Sequence, residues 1–267
     1  MDKKKPFIFF LIIILLTIGG LLASKFIKHE KSQNERLVRL ESMGATVSYL
    51  KEKQQQANNY YEYTTDYTDD SFNYFAIGNS LTLINGNWGR GICSTRPDND
   101  YFHLIVKELE NTQGKVVAYP YNYADWERSN DRNFCLDLLD VYLSDKLNLV
   151  TIQLGENVAD KTTFEQDLES LIAYVHAKAP KAKIIIIGDF WDKERNTIRQ
   201  TAAQNTNCPF ADISAIINNK EYQSKEGNEC LGKDGNTIKV SAAAATHPSD
   251  KGMQYIANAV LKAMLVE

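Results

Sequence analysis

Two residues, Ser80 and His247, have the types and settings for nucleophilic acyl chemistry. A serine hydroxyl attacks a carbonyl only when a base takes its proton, and imidazole is the usual base because its pKa lies near neutrality. Of the four histidines, His29 falls in a polar stretch near the N-terminus, while His103 and His176 fall inside helical stretches. His247 alone sits in a loop just ahead of a helix start, in Thr246-His247-Pro248-Ser249-Asp250. The tetrahedral intermediate of acyl transfer carries an oxyanion that needs two or three donors fixed in advance. The donors available are the backbone N–H of Ser80, a backbone N–H within Asn87-Trp88-Gly89-Arg90-Gly91, and the side-chain amide of Asn157. This chemistry requires no metal or cofactor.

These residues need a scaffold that brings them to one edge. Tyr74 to Ile77, Val116 to Tyr119, Leu149 to Leu154 and Ile184 to Ile187 are continuous apolar runs, as buried parallel strands should be. Helical stretches near Tyr101 to Glu110, Arg132 to Ser144 and Phe164 to Ala179 lie between them. Alternating strands and helices imply an α/β fold with a central parallel sheet. A last helix is expected through Met253, Ile256, Ala257, Val260, Leu261 and Met264, which follow helical spacing, with Ser249 or Asp250 as its cap. Residues 218–240 read as a long loop or insertion. In an open parallel sheet, ligands bind beyond the carboxyl ends of the strands. Gly78-Asn79-Ser80-Leu81-Thr82 follows the first run, and Gly155-Glu156-Asn157-Val158-Ala159-Asp160 follows the third.

Singly these motifs are weak, since a Ser or Asn after a strand is most often a turn or cap residue. In order and together they resemble the GDSL or SGNH hydrolases, a flavodoxin-like α/β/α group of esterases and related acyltransferases. Phe75 to Thr82 resembles the first block, with Asn79 where Asp is commoner. Gly89, with Gly91 as the alternative, stands for the second-block glycine. Gly155 to Asp160 is similar to the third block, and His247-Pro248 with Gly252 to the fifth. The resemblance spans 73–267. It implies Ser80 as nucleophile, His247 as base and later acid, an oxyanion hole of Ser80, Gly89 and Asn157, and a structural Asp160 capping the helix after the third strand.

One departure from the family pattern matters. The acid usually found three residues before the histidine is replaced by Ala244. In a serine protease triad, loss of that acid lowers turnover by roughly 10⁴, because the imidazole's tautomer and orientation are no longer held. The expectation is a Ser–His dyad with a backbone carbonyl in the acid's place. The rivals are a carboxylate from elsewhere, such as Asp250 or Asp234, and an inactive site.

The 267 residues fit one substantial domain with extra segments. Pro6 to Ser24 carries no charge and is long enough, at about 1.5 Å per residue, to cross a bilayer as a helix. The expectation is an uncleaved anchor (1–24), with a cleaved signal as the alternative. Lys3, Lys4 and Lys5 would hold its start in the cytoplasm, leaving the rest extracytoplasmic. Residues 25–72 read as a helical stalk and linker. The stalk offers a weak route to oligomers, and Asn58 to Ser71 is a linker or a strap on the domain surface. Residues 73–267 carry 20 Lys/Arg against 25 Asp/Glu, which gives no footprint for nucleic acid. Cys93, Cys135, Cys208 and Cys230 show no CxxC spacing and read as disulfides or buried thiols rather than a zinc site.

Trp88, Trp126 and Trp191 all follow strands or lie in loops beyond them, and are candidates to stack on sugar rings. Together these readings give a membrane-anchored esterase that removes short acyl groups, most plausibly acetyl, from a carbohydrate or cell-envelope polymer. The alternatives are an O-acyltransferase onto a glycan hydroxyl and a catalytically silent envelope-binding domain.

Overall fold

A computed structural model describes residues 63–266, which all fall within one compact unit. The expected anchor (1–24) and the stalk helix up to residue 56 lie outside the described residues. Among the described residues, no helix is long and apolar enough to cross a membrane.

Five strands form one parallel sheet: β1 (Phe72–Gly78), β2 (Val116–Asn122), β3 (Leu149–Gln153), β4 (Lys183–Ile187) and β5 (Phe210–Ala211), in the order β2-β1-β3-β4-β5. This is the flavodoxin-like doubly wound order, whose switch point lies between β1 and β3. The register places Tyr74, Leu149 and Lys183 side by side, and Ala76 beside Thr151 and Ile185. Side chains alternate along a strand, so Tyr74, Ala76, Leu149, Ile185 and Ile187 share one face of the sheet. Phe75, Ile77, Val150, Ile152, Ile184 and Ile186 share the other. Both sets are buried, which explains why the runs are continuously apolar.

Five helices cover the sheet: α1 (Tyr101–Gln113), the short α2 (Ala124–Arg128), α3 (Phe164–Lys178), α4 (Lys193–Asn205) and α5 (Asp250–Met264). α1 packs against α5 over the Tyr74 face, and α3 packs against α4. α5 buries Met253, Ile256, Ala257 and Val260, as its spacing predicts, while Ala263 is also buried and Leu261 and Met264 are half-buried. Of the two candidate caps, Ser249 accepts from the Gly252 N–H. Truncating a buried residue such as Ile256 to Ala should cost about 2–5 kcal/mol. Ahead of β1, Tyr67 is buried and the Tyr63 hydroxyl meets His103 Nε2 at 2.6 Å, so residues 63–71 lie against the domain.

Two expectations need correction, and one helix went unread. The stretch 132–144 is not an α-helix. Asn133–Leu139 is a 3₁₀ helix followed by turns. Its buried Leu136, Leu139 and Tyr142 recur every three residues, which suits three residues per turn rather than 3.6. The 218–240 segment contains an antiparallel hairpin, β6 (Glu229–Leu231) with β7 (Thr237–Lys239). α4 was not expected, because its inward face carries Asn196 and Arg199 beside only Ala202 and Ala203, leaving no apolar period to read.

Candidate active site

Three adjacent strands deliver the site. β1, the middle strand of the three, ends at Gly78 and turns at once through Asn79 and Ser80. The N–H groups of Thr82 and Leu83 both close back on the Asn79 carbonyl at 3.0 Å. β3 ends at Gln153, in register with Gly78, and leads into Gly155-Glu156-Asn157. Ser80 and Asn157 therefore lie at the β1/β3 switch point. His247 comes from the other end of the chain, on the loop before α5. Its backbone is held at both ends, the N–H donating to Ala244 O at 2.9 Å and the carbonyl accepting from Ser224 N at 2.8 Å.

Ser80 Oγ and His247 Nε2 are 3.2 Å apart. On the far side of the ring, His247 Nδ1 lies 3.0 Å from the Ala244 carbonyl oxygen. A carbonyl only accepts, so Nδ1 carries the proton and Nε2 presents its lone pair to Ser80. This is the tautomer a base needs. Burial lowers the imidazole pKa from its usual 6.5, and the Ala244 carbonyl opposes that shift.

The Ala244 oxygen also accepts from Cys93 Sγ at 3.2 Å, so three donors converge on the atom that faces the ring. Trp191 stands edge-on to the imidazole, with ring centroids 5.1 Å apart. Its indole N–H donates to Thr246 O at 2.9 Å, which ties the histidine loop to the end of β4.

The alternative carboxylates are engaged elsewhere. Asp250 accepts from Thr95 N at 2.8 Å and from Asn99 Nδ2 at 2.7 Å, in addition to the Thr95 hydroxyl. Asp234 is exposed and accepts from Asn236.

The oxyanion candidates separate by what their donors already do. The Gly91 N–H is taken by the buried Asp100 carboxylate at 2.9 Å, so the alternative glycine is not available. Gly89 is buried with φ +60, a left-handed conformation that favours glycine. Among the described residues, neither its N–H nor that of Ser80 is donated to a backbone carbonyl. The Gly89 loop is fixed by Arg90, which is fully buried. Its guanidinium donates to the Trp88, Ser94 and Leu231 carbonyls at 3.0, 2.8 and 2.6 Å.

The Asn157 amide is oriented by its neighbours: Nδ2 donates to Glu127 Oε2 at 2.5 Å, and Oδ1 accepts from Arg128 Nη2 at 3.3 Å. Asp160 does not cap α3. It accepts from the Thr162 N–H and hydroxyl, closing a turn just before the helix, whose N-cap is Thr163.

Glu127 was not found by sequence reading. It lies in α2, directly after β2, and the residues beyond β2 carry no motif of the kind seen after β1 and β3. Beneath the site, Arg199 is fully buried and pairs with Glu156 at 2.6 Å and Asp189 at 3.1 Å. Burial raises the Glu156 pKa despite the pull of Arg199. Burial also opposes ionisation of Asp189, but Arg199 and Arg195 hold its pKa below the usual value. Gly155, at φ +134, leaves room for this pair. A Cβ there would come within 2.6 Å of Phe164 and 2.8 Å of Arg199.

The tryptophans divide. Trp126 is fully buried among Tyr123, Phe164 and Arg132, so it cannot stack on a substrate. Trp88 is half-buried on the Gly89 loop, and Trp191 is half-buried beside His247. All four cysteines are free thiols, Cys93 and Cys230 sharing one small buried cluster. Among the described residues, no group of three or more His, Cys, Asp or Glu side chains is placed to hold a metal ion. A cavity of about 520 Å³ between residues 63–64, α1 and β2 is lined by none of Ser80, Asn157 and His247.

No family model and no curated protein matches the sequence. Solved structures do align with it. An acetylxylan esterase from Geobacillus stearothermophilus is 17% identical, with 75% of this chain and 98% of that one covered and a TM-score of 0.49. A phospholipase A1 from Streptomyces albidoflavus is 15% identical, covering 72% and 99%, with a TM-score of 0.45. A protein described as a GDSL-like lipase from Parabacteroides merdae is 15% identical, covering 72% and 95%, with a TM-score of 0.44. All three are named as ester hydrolases. At these identities and TM-scores they add no weight to the functional reading, which rests on the geometry around Ser80.

Proposed function

We propose that the chain is a serine esterase working through a Ser80–His247 dyad. The observation that carries this reading is the line from Ser80 Oγ through His247 to the Ala244 carbonyl, with separations of 3.2 and 3.0 Å. In the first half-reaction Ser80 Oγ bonds to the ester carbonyl carbon while His247 Nε2 takes its proton. The oxyanion that forms accepts hydrogen bonds from the Ser80 and Gly89 N–H groups and the Asn157 amide. Collapse breaks the ester C–O bond, and the leaving alcohol takes the proton from Nε2. Water then attacks acyl-Ser80 by the same route, and free serine and a carboxylic acid result.

The substrate in this reading is a short acyl ester, such as acetyl, on a carbohydrate or cell-envelope polymer. Trp88 and Trp191, half-buried in the loops around the dyad, are the faces for the sugar. The uncharged run from Pro6 to Ser24 supports an extracytoplasmic site held at a membrane. The test is release of acetate from acetylated oligosaccharides by the full-length chain. Loss of the acetyl group from the donor only when a glycan acceptor is supplied, with that group recovered as an ester on the acceptor and no free acetate formed, would instead make it a transferase.

A further inference from the structure

Beyond the dyad and the oxyanion donors, one buried carboxylate reaches the site from α2, the short helix that follows β2. We infer that Glu127 is a positioning residue: it holds the Asn157 amide as an oxyanion donor and thereby sets the rate of acyl transfer. This inference rests on the esterase reading above.

Glu127 is 1% exposed, and burying a carboxylate is costly unless its lone pairs are satisfied. Here they are. Oε1 accepts from Gly155 N at 2.5 Å, Asn79 Nδ2 at 3.0 Å and Asn157 N at 3.3 Å, and Oε2 accepts from Asn157 Nδ2 at 2.5 Å. Four donors suit the roughly four lone-pair sites of an ionised carboxylate. Three of them belong to the loop after β3 that carries Asn157, and the fourth belongs to the residue just before Ser80. One side chain from α2 therefore fixes the loops after β1 and β3 relative to each other.

The carboxylate also settles which way the Asn157 amide points. Only its nitrogen can face Glu127, so its oxygen turns toward Arg128, and one N–H of the amide is left for the acyl oxygen. A donor misplaced by an ångström loses most of its value to the transition state.

The same contacts account for Asn79 in place of the commoner Asp. Its Nδ2 donates to both Glu127 at 3.0 Å and Glu156 at 2.8 Å. An aspartate there would set three buried carboxylates against one another.

The test compares steady-state kinetics of the full-length wild type, Glu127→Gln, Asn157→Ala and the double variant on p-nitrophenyl acetate. In Glu127→Gln the amide oxygen belongs where three donors converge, so its NH₂ faces Asn157 Nδ2 and the two groups repel. Glu127→Gln should lower kcat by about 10²-fold with KM little changed, the loss expected for one oxyanion donor. Asn157→Ala should lose a similar factor, and the double variant should be no slower than Asn157→Ala. Wild-type kcat in Glu127→Gln, or multiplied losses in the double variant, would overturn the inference.

The wild type supplies a second measurement that does not depend on a variant folding. A p-nitrophenyl alkylphosphonate should phosphonylate Ser80, forming the Oγ–P bond and releasing p-nitrophenol. In the crystal structure of that adduct, Asn157 Nδ2 should bridge Glu127 Oε2 and the phosphonyl oxygen. An adduct in which Asn157 turns away from either group overturns this inference alone. Failure to label Ser80 would instead count against the esterase reading.

Discussion

His247 Nδ1 and the Ala244 carbonyl oxygen lie 3.0 Å apart, and Ala244 stands where the hydrolase pattern that the sequence resembles would place an acidic side chain. The one-turn 3₁₀ helix Ala244–Thr246 makes this contact possible, since it folds the chain back so that residue 247 meets residue 244. A backbone oxygen thus occupies the place of the carboxylate, and Cys93 and the His247 N–H also converge on it. A carbonyl holds the tautomer without carrying a full negative charge. The imidazole is therefore oriented but gains no stabilisation as an imidazolium from a neighbouring carboxylate.

Introducing an acid should consequently help little. Ala244→Asp is expected to change kcat/KM by less than about tenfold. An unoriented histidine would leave a far larger gain to recover, up to the roughly 10⁴ lost when a triad acid is neutralised. Steady-state kinetics on an acetyl ester would decide, and a gain of 10² or more would show that the carbonyl does not do the orienting.

Burial lowers the His247 pKa below 6.5. The base works when neutral, so the acid limb of kcat/KM should fall below pH 6.5, and activity should persist into mildly acidic solution. An acid limb at or above 6.5 would contradict this. The same shift affects stability. The unfolded chain binds the proton more readily, so the contribution is complete above about 6.5 and is lost as pH falls through the lower folded value.

Two tryptophans should respond in opposite ways. Trp126→Ala removes a fully buried side chain and should cost about 3–5 kcal/mol in urea unfolding. Trp191→Phe keeps the ring beside His247 but loses the N–H to Thr246 O. The lost hydrogen bond should cost no more than about 0.5–1.5 kcal/mol in urea unfolding, while the loosened His247 loop should lower kcat. A large loss of stability in Trp191→Phe would show that the indole serves packing instead.

Arg199 is fully buried between Glu156 and Asp189. Arg199→Met would leave both acids without that partner and should destabilise the domain by about 3–5 kcal/mol in urea unfolding. Stability within 1 kcal/mol of wild type would mean that the acids take up protons and the pair contributes little.

Much of this was legible in the sequence, for physical reasons. β1, β3 and β4 are covered on both faces and read as unbroken apolar runs. Ser80, Asn157 and His247 follow strands or precede a helix, where a parallel sheet presents ligand groups, and the structure brings Ser80 and His247 into contact. What escaped depends on three-dimensional placement. A backbone carbonyl was expected opposite His247 Nδ1, but which residue supplies it was not legible, because no side-chain identity marks a main-chain atom. Glu127 lies in a five-residue helix without an apolar period, and its role depends on β2 being the neighbour of β1. α4 turns Arg199 inward, so its buried face looks polar. Trp126 resembled a rim residue because it follows β2, yet α2 carries it into the core.

Whether Ser80 is the nucleophile of an ester hydrolase is tested by acetate release from p-nitrophenyl acetate by full-length wild type and Ser80→Ala. The wild type should turn over, acid-quenched protein should carry an acetyl group on Ser80, and Ser80→Ala should lose at least about 10³-fold, as expected when a nucleophile is removed. Equal rates for the two proteins would contradict that role for Ser80.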